Sequence, residues 1–219
     1  MSQVRAVTFD LDGTLYDARS IRWRFAVANL GQLRSVRVAL KVREELRTLE
    51  FSDGDAYRLE EARRVAERLD VTVDEARARI DRLLGARLTE ALRAAGPRRD
   101  ARACLERMTQ AGLPVGVVSD YAIDEKLHAL GLAEVPWVAR IAADALGALK
   151  PNARCYRASA ASFGLPPEQI LHIGDRVDTD VHGARAAGQQ ALLLGPPVDG
   201  IPSVQTLTEA VERILPGPA

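Results

Sequence analysis

The sequence predicts an α/β fold, a doubly wound parallel sheet interrupted after its first strand by a helical insertion. Three observations carry this. Short apolar strands alternate with helical patterns from Asp100 onward, a lone apolar run ends at Phe9, and the segment from Tyr16 to Gly96 has helical spacing and no strand pattern.

Val4-Arg5-Ala6-Val7-Thr8-Phe9 reads as the first strand and delivers the chain into Asp10-Leu11-Asp12-Gly13-Thr14. A carboxylate at the end of a buried strand costs desolvation energy unless something cationic meets it. Two of them, followed by a turn-permitting Gly13, suggest a metal or phosphate site. The same string can also close a strand as a plain Asx turn, so later segments must decide.

Tyr16-Asp17 reads as a hinge or the first helix cap of the insertion. Beyond it, apolar positions recur at helical spacing: Leu59, Ala62, Ala66 and Leu69, then Ala76, Ile80, Leu83, Leu84 and Leu88. Phe51 to Asp55 reads as a loop, Thr72-Val73-Asp74-Glu75 as a capping box, and Gly96-Pro97 as the end of the segment. Of the chain's 27 arginines, 16 lie here, interleaved with acids as on solvated helix faces.

From Asp100 the pattern alternates. Asp100 to Gln110 is a helix, Val115 to Val118 a strand, Ile123 to Leu130 a helix and Val138 to Ala142 a strand. A helix follows Pro151, then the strand Ile170 to Ile173, a helix through Val181 to Ala187, the strand Ala191 to Leu194 and a last helix around Leu207 to Leu215. Such alternation implies parallel strands with helices on both faces. The expected domains are a core of residues 1–15 and 97–219 and a helical cap of residues 16–96.

Composition sets limits on function. The 219 residues, 47% hydrophobic, suffice for a substantial core, and 30 basic residues cancel 30 acidic ones. No global field draws in nucleic acid or an anionic membrane. There is no apolar leader and no run near the roughly 18 residues of a membrane span. A cytoplasmic protein, monomer or homodimer, is expected. Cys104 and Cys155 read as packing residues and carry no chemistry.

In doubly wound sheets, ligands bind at the carboxyl ends of the strands. Asp10 and Asp12 follow the first strand, Ser119-Asp120 the second, and Gly174-Asp175 the strand Ile170 to Ile173, continuing into Arg176-Val177-Asp178-Thr179-Asp180. Lys150-Pro151 opens a helix after the intervening strand. Pro151 suits the first helical position, which would leave Lys150 beside a helix N-terminus. Lys150 is one of only three lysines, a compact point charge in an arginine-rich chain. Paired acids, a hydroxyl, a lysine and further acids on one edge form an inventory for metal and phosphate.

In this order and spacing, Asp10-Leu11-Asp12-Gly13-Thr14, Ser119, Lys150-Pro151 and Gly174 to Asp180 resemble the four motifs of the haloacid dehalogenase superfamily. Val181 to Gly188 resembles the helix after its fourth motif, and the insertion resembles the helical C1 cap of the phosphatase-like subgroup. The resemblance implies a Rossmann-like core and a Mg²⁺-dependent phosphatase acting on a small phosphorylated metabolite. Asp10 would be the nucleophile, becoming an aspartyl phosphate. Asp12 would be general acid and base, on the same side of the extended chain as Asp10. Mg²⁺ would be held by the Asp12 carbonyl and by Asp10 and Asp175, with Asp180 supporting the shell. Ser119, Lys150 and the turn amides around Leu11 would grip the phosphoryl oxygens, with Asp120 beside them.

Asp120 and Arg176 depart from the family pattern. Asp120 is tolerable if it points away from the anion, and Arg176 is read as balancing Asp178. His172 reads as a satisfied near-core histidine, His128 and His182 as helix residues, and Trp23 and Trp137 as packing, with Trp23 near the substrate entrance. Arg19, Arg22 and Arg24 are the arginines to test for substrate contact. Two other readings compete: a hydrolytic 2-haloacid dehalogenase-type enzyme, which uses the aspartate on carbon without Mg²⁺ or a second acid, and a non-enzymatic phospho-accepting or binding protein.

Overall fold

The computed structural model describes residues 3–215; Met1, Ser2 and residues 216–219 of the expected core lie outside the described residues. Six strands form one parallel sheet: β1 (Ala6–Phe9), β2 (Val115–Ser119), β3 (Trp137–Ala142), β4 (Ile170–Gly174), β5 (Gln190–Leu194) and β6 (Ser203–Val204). Their order is β3-β2-β1-β4-β5-β6. The chain winds outward from β1 in one direction and then in the other, so the switch point lies at β1. All four β1 residues are buried, as a central parallel strand requires.

Register aligns the chemistry. Phe9 pairs with Val117 of β2 and Ile173 of β4. The residues just beyond, Asp10, Ser119 and Asp175, therefore emerge side by side at one edge.

Five α-helices make up the segment inserted after β1: α1 (Ala18–Ala28), α2 (Leu33–Leu46), α3 (Gly54–Leu69), α4 (Val73–Ile80) and α5 (Arg87–Ala95). Asp17 caps α1 by accepting from the Arg19 amide at 2.8 Å, and Asp53 caps α3 by accepting from Ala56 at 2.9 Å. The Thr72 to Glu75 capping box is formed in both directions. A π-helical turn, Asp81–Ala86, joins α4 to α5. Val42, Leu46, Tyr57, Val65, Ile80 and Leu83 form a second cluster, joined by Leu149 from the sheet side, whereas Ile21 of α1 and Leu92 of α5 pack with the sheet core. Leu59, counted on the apolar face from its spacing, is 49% exposed.

The helices of the sheet layer are α6 (Ala101–Gln110), α7 (Asp124–Ala129), α8 (Ala153–Phe163), α9 (His182–Ala186) and α10 (Leu207–Ile214). Two details differ from the sequence reading. α8 starts at Ala153 with Asn152 as its cap, accepting from Arg154 at 2.9 Å, so Pro151 precedes the helix and Lys150 is not at its first turn. The segment after β4 begins as a π turn, Val177–Val181, before α9.

The two crossings between sheet and insertion are stapled by Arg98. Its amide donates to the Leu15 carbonyl at 2.8 Å, and its guanidinium donates to the Thr14 carbonyl at 2.9 Å and the Gly13 carbonyl at 2.6 Å.

Candidate active site

Asp10 leaves β1 with its amide donating to the Ile173 carbonyl at 2.8 Å and its side chain nearly closed off. Lys150 Nζ lies 2.5 Å from Asp10 Oδ1 and 2.7 Å from Asp180 Oδ1, a buried ion triad. The lysine is aimed by Asp120. One Asp120 oxygen accepts from the Lys150 amide at 2.9 Å, and the other pairs with Arg47 of α2 at 2.7 Å. The negative charge that departs from the family pattern is thus neutralised by the insertion.

Asp10, Asp175 and Asp180 offer carboxylate oxygens within 4.8 Å of one another. Asp10 Oδ2 and Asp175 Oδ1 are buried with no hydrogen-bond partner. Two orphaned carboxylate oxygens in a cluster of hard donors fit a divalent cation such as Mg²⁺. Burial is the largest influence on Asp10 and raises its pKa well above the ordinary carboxylate range, with Lys150 opposing. Burial, then Asp180, pushes Asp175 up to about 6. Burial also acts to raise Asp180, but the Lys150 charge and a contact from His172 outweigh it and hold Asp180 well below its usual range. For Lys150, burial disfavours the ammonium but Asp10 and Asp180 reverse the balance and raise its pKa. Gly174 permits this crowding, because a Cβ there would stand 2.3 Å from Asp180 Cγ.

Asp12 turns to a different set of partners. Lys126 of α7 donates to both its oxygens at 2.8 and 2.6 Å, Tyr16 Oη donates at 2.6 Å, and Ser119 Oγ at 3.1 Å. Burial alone would raise the Asp12 pKa; the Lys126 charge and the hydrogen bonds from Lys126 and Tyr16 lower it instead. Asp12 therefore rests as a carboxylate.

A cavity of about 320 Å³ opens over these groups. Asp10, Asp12, Lys150, Asp175 and Arg176 line its sheet side, and Ile21, Arg22, Phe25, Leu40, Leu84 and Leu88 its insertion side. Leu11 is fully buried in the sheet core, so only its backbone can face a ligand. Of the three arginines singled out from the sequence, Arg22 lines the cavity and Arg19 and Arg24 do not. Trp23 stands outside it, 75% exposed. A second cavity of about 710 Å³ shares Arg43, Leu84, Tyr121 and Lys126 with the first. Arg43 lies 3.8 Å over the Tyr121 ring and pairs with Glu61 at 2.5 Å.

Arg176 forms a two-pronged pair with Asp178, as the charge-balance reading expects. His172 is buried against Tyr156; its Nδ1 meets Thr8 Oγ1 at 2.9 Å, while Nε2 has no hydrogen-bond partner and lies 3.6 Å from Asp180. It is half satisfied rather than fully so. Both cysteines are buried and free, with thiols pushed up to about 12 by burial. The sequence reading missed Lys126, Arg43 and Arg47, and gave Tyr16 no contact with Asp12. The scarcity of lysine was the available signal for Lys126.

A sequence model described as haloacid dehalogenase-like hydrolase matches residues 4–188. The haloacetate dehalogenase H-2 of Moraxella sp. (strain B) is 28% identical over 194 residues, 87% of this chain and 85% of the relative. The 5-amino-6-(5-phospho-D-ribitylamino)uracil phosphatase YigB of Escherichia coli (strain K12) is also 28% identical, over 90% of this chain and 85% of its own length. In fold, the chain is similar to the L-2-haloacid dehalogenase of Xanthobacter autotrophicus carrying covalently bound chloropropionic acid, with TM-score 0.71, 19% identity, and coverage of 99% of this chain and all of that one. Motifs, sheet order and sequence match converge: the chain belongs to the haloacid dehalogenase-like hydrolase family.

Proposed function

We propose that the protein is a Mg²⁺-dependent phosphatase of a small phosphate monoester, working through an aspartyl phosphate on Asp10, with residues 16–96 as the cap over the site. One observation carries the reading: a second carboxylate, Asp12, stands two residues after Asp10 and faces the same cavity, held by donors from Tyr16, Ser119 and Lys126. Carbon–halogen hydrolysis has no use for such an acid, whereas a departing alkoxide needs a proton.

Asp10 attacks phosphorus through a carboxylate oxygen, with Lys150 standing on Oδ1. The Asp10 O–P bond forms as the ester P–O bond breaks, and Asp12 delivers a proton to the leaving oxygen. Asp12 rests ionised, so that proton is supplied by the ester monoanion, whose second pKa is near 6. Asp12 then takes a proton from water, the water oxygen attacks phosphorus as the bond to Asp10 breaks, and Asp12 passes that proton to the departing inorganic phosphate, which returns both carboxylates to their starting state. Lys150 and Ser119 neutralise and orient the phosphoryl oxygens. Asp10, Asp175 and the Asp12 carbonyl would hold Mg²⁺, with Asp180 supporting them. When bound, the ion supplies the positive charge that lets one anion approach another.

Hydrolytic dehalogenation is the second reading. The Moraxella relative, matched over most of both chains, supports it as well as the phosphatase relative supports the first. The deciding experiment measures phosphate release from small phosphoesters and halide release from 2-chloropropionate, each with Mg²⁺, with EDTA and with Asp10→Asn. Metal-dependent phosphate release lost in the variant is the expected result; EDTA-resistant halide release without phosphate release would overturn it. The buried free thiols and balanced charge are consistent with a cytoplasmic protein that binds neither nucleic acid nor membrane. Among the described residues, no helix is long and apolar enough to cross a membrane.

A further inference from the structure

We propose that Lys126 is a positioning residue that fixes the Asp12 carboxylate toward the leaving group. The inference rests on the reading of Asp12 as acid and base. Lys126 is 6% exposed, and its ammonium straddles both Asp12 oxygens at 2.8 and 2.6 Å. A buried ammonium is costly without a partner, and among the described residues Asp12 is the only acid it pairs with. Its acidic neighbour Asp124 is taken by Arg140 at 2.9 Å.

The other two donors to Asp12 are placed differently. Ser119 Oγ also receives the Tyr121 amide at 3.4 Å and so is shared between two partners. Tyr16 is carried on the segment that enters the insertion, next to the Asp17 cap of α1. Both hydroxyls can exchange partners when a ligand enters or the insertion shifts. Lys126 comes from α7, on the sheet side, 114 residues along the chain from Asp12. It is the one donor to Asp12 that belongs to neither the strand-end loops nor the insertion. Two contacts from one ammonium also fix the plane of the carboxylate, which a single hydrogen bond would leave free to rotate.

The test compares Lys126→Met, Lys126→Gln and Lys126→Arg with wild type in Mg²⁺, using glycerol 2-phosphate and p-nitrophenyl phosphate. Glycerol leaves as an alkoxide that needs a proton, whereas nitrophenolate leaves without one. The ratio kcat/KM reports the step that releases the alcohol. In Lys126→Met it falls on the order of ten-fold more for the glycerol ester than for the nitrophenyl ester, part of what a general acid contributes. KM on the nitrophenyl ester changes little, and Lys126→Arg restores most of the difference. If Lys126→Met fails to fold, Lys126→Gln, which keeps an amide donor without the charge, carries the same comparison. Equal falls on both esters, with no rescue by arginine, would overturn the proposal while leaving the phosphatase reading intact. A wild type silent on both esters would overturn that reading and the positioning role with it.

Discussion

Gly13 and Asp175 touch across the site: a Cβ built on Gly13 would stand 2.3 Å from Asp175 Oδ2, and Gly13 sits at φ +102°. The turn that follows Asp12 therefore presses against the acid at the end of β4 with no space for a side chain. Gly13→Ala combines a forbidden backbone region with a collision. It is expected to lower unfolding free energy by roughly 1–3 kcal/mol and to displace Asp175. Urea unfolding at neutral pH measures the first effect, and loss of any Mg²⁺-induced rise in Tm the second.

Asp12→Asn separates the two chemistries. With its shape kept and its proton transfer removed, phosphate release from an alkyl phosphate should drop about 10²–10⁴-fold. Halide release from 2-chloropropionate, if the protein performs it, should survive the same substitution. A variant that keeps wild-type phosphatase rates would remove Asp12 from the mechanism.

Lys150→Met should be the most destabilising single change in the site. It leaves Asp10 and Asp180 buried without the cation they share, an imbalance that costs about 3–5 kcal/mol when a buried pair is broken from one side. Chemical denaturation at pH 7 measures it. A loss under about 1 kcal/mol would mean that the triad is worth no more than an exposed pair.

Asp144, just after β3, predicts a pH effect away from the catalytic acids. Burial raises its pKa above the model-peptide value of 3.8, and Arg58 at 3.8 Å only partly offsets this. The folded state therefore holds this proton more tightly than the unfolded chain. The resulting stability is fully present below about pH 4 and is lost as pH rises through the higher folded value. Asp144→Asn should unfold at higher urea than wild type at pH 7, with the gain shrinking toward pH 4. A gain that grows on acidification would reverse the assignment.

Asp10, Ser119, Lys150 and Asp175 were legible in the sequence because each closes or follows an apolar strand, and parallel strands bring such ends to one edge. Lys126 was not: it lies within a short helix, and nothing local tells which way a helical lysine points or that Asp12 waits for it. β6 has two residues, too few for any period to register. Pro151 drew attention from Asn152, whose side chain makes the actual cap of α8. Trp23, read as packing near the entrance, is instead 75% exposed, while Ile21, Arg22 and Phe25 of the same helix line the cavity.

Arg98 clasps the outgoing chain at Gly13, Thr14 and Leu15 where the returning chain meets it. From the sheet's side, the whole helical excursion is a loop with its neck tied. The entropy of closing a loop rises only logarithmically with its length, so a longer or shorter excursion tied at the same neck changes the sheet's stability little. The neck is not the only tie: Ile21 and Leu92 seated in the sheet core and Arg47 paired with Asp120 hold the excursion against the strand ends as well.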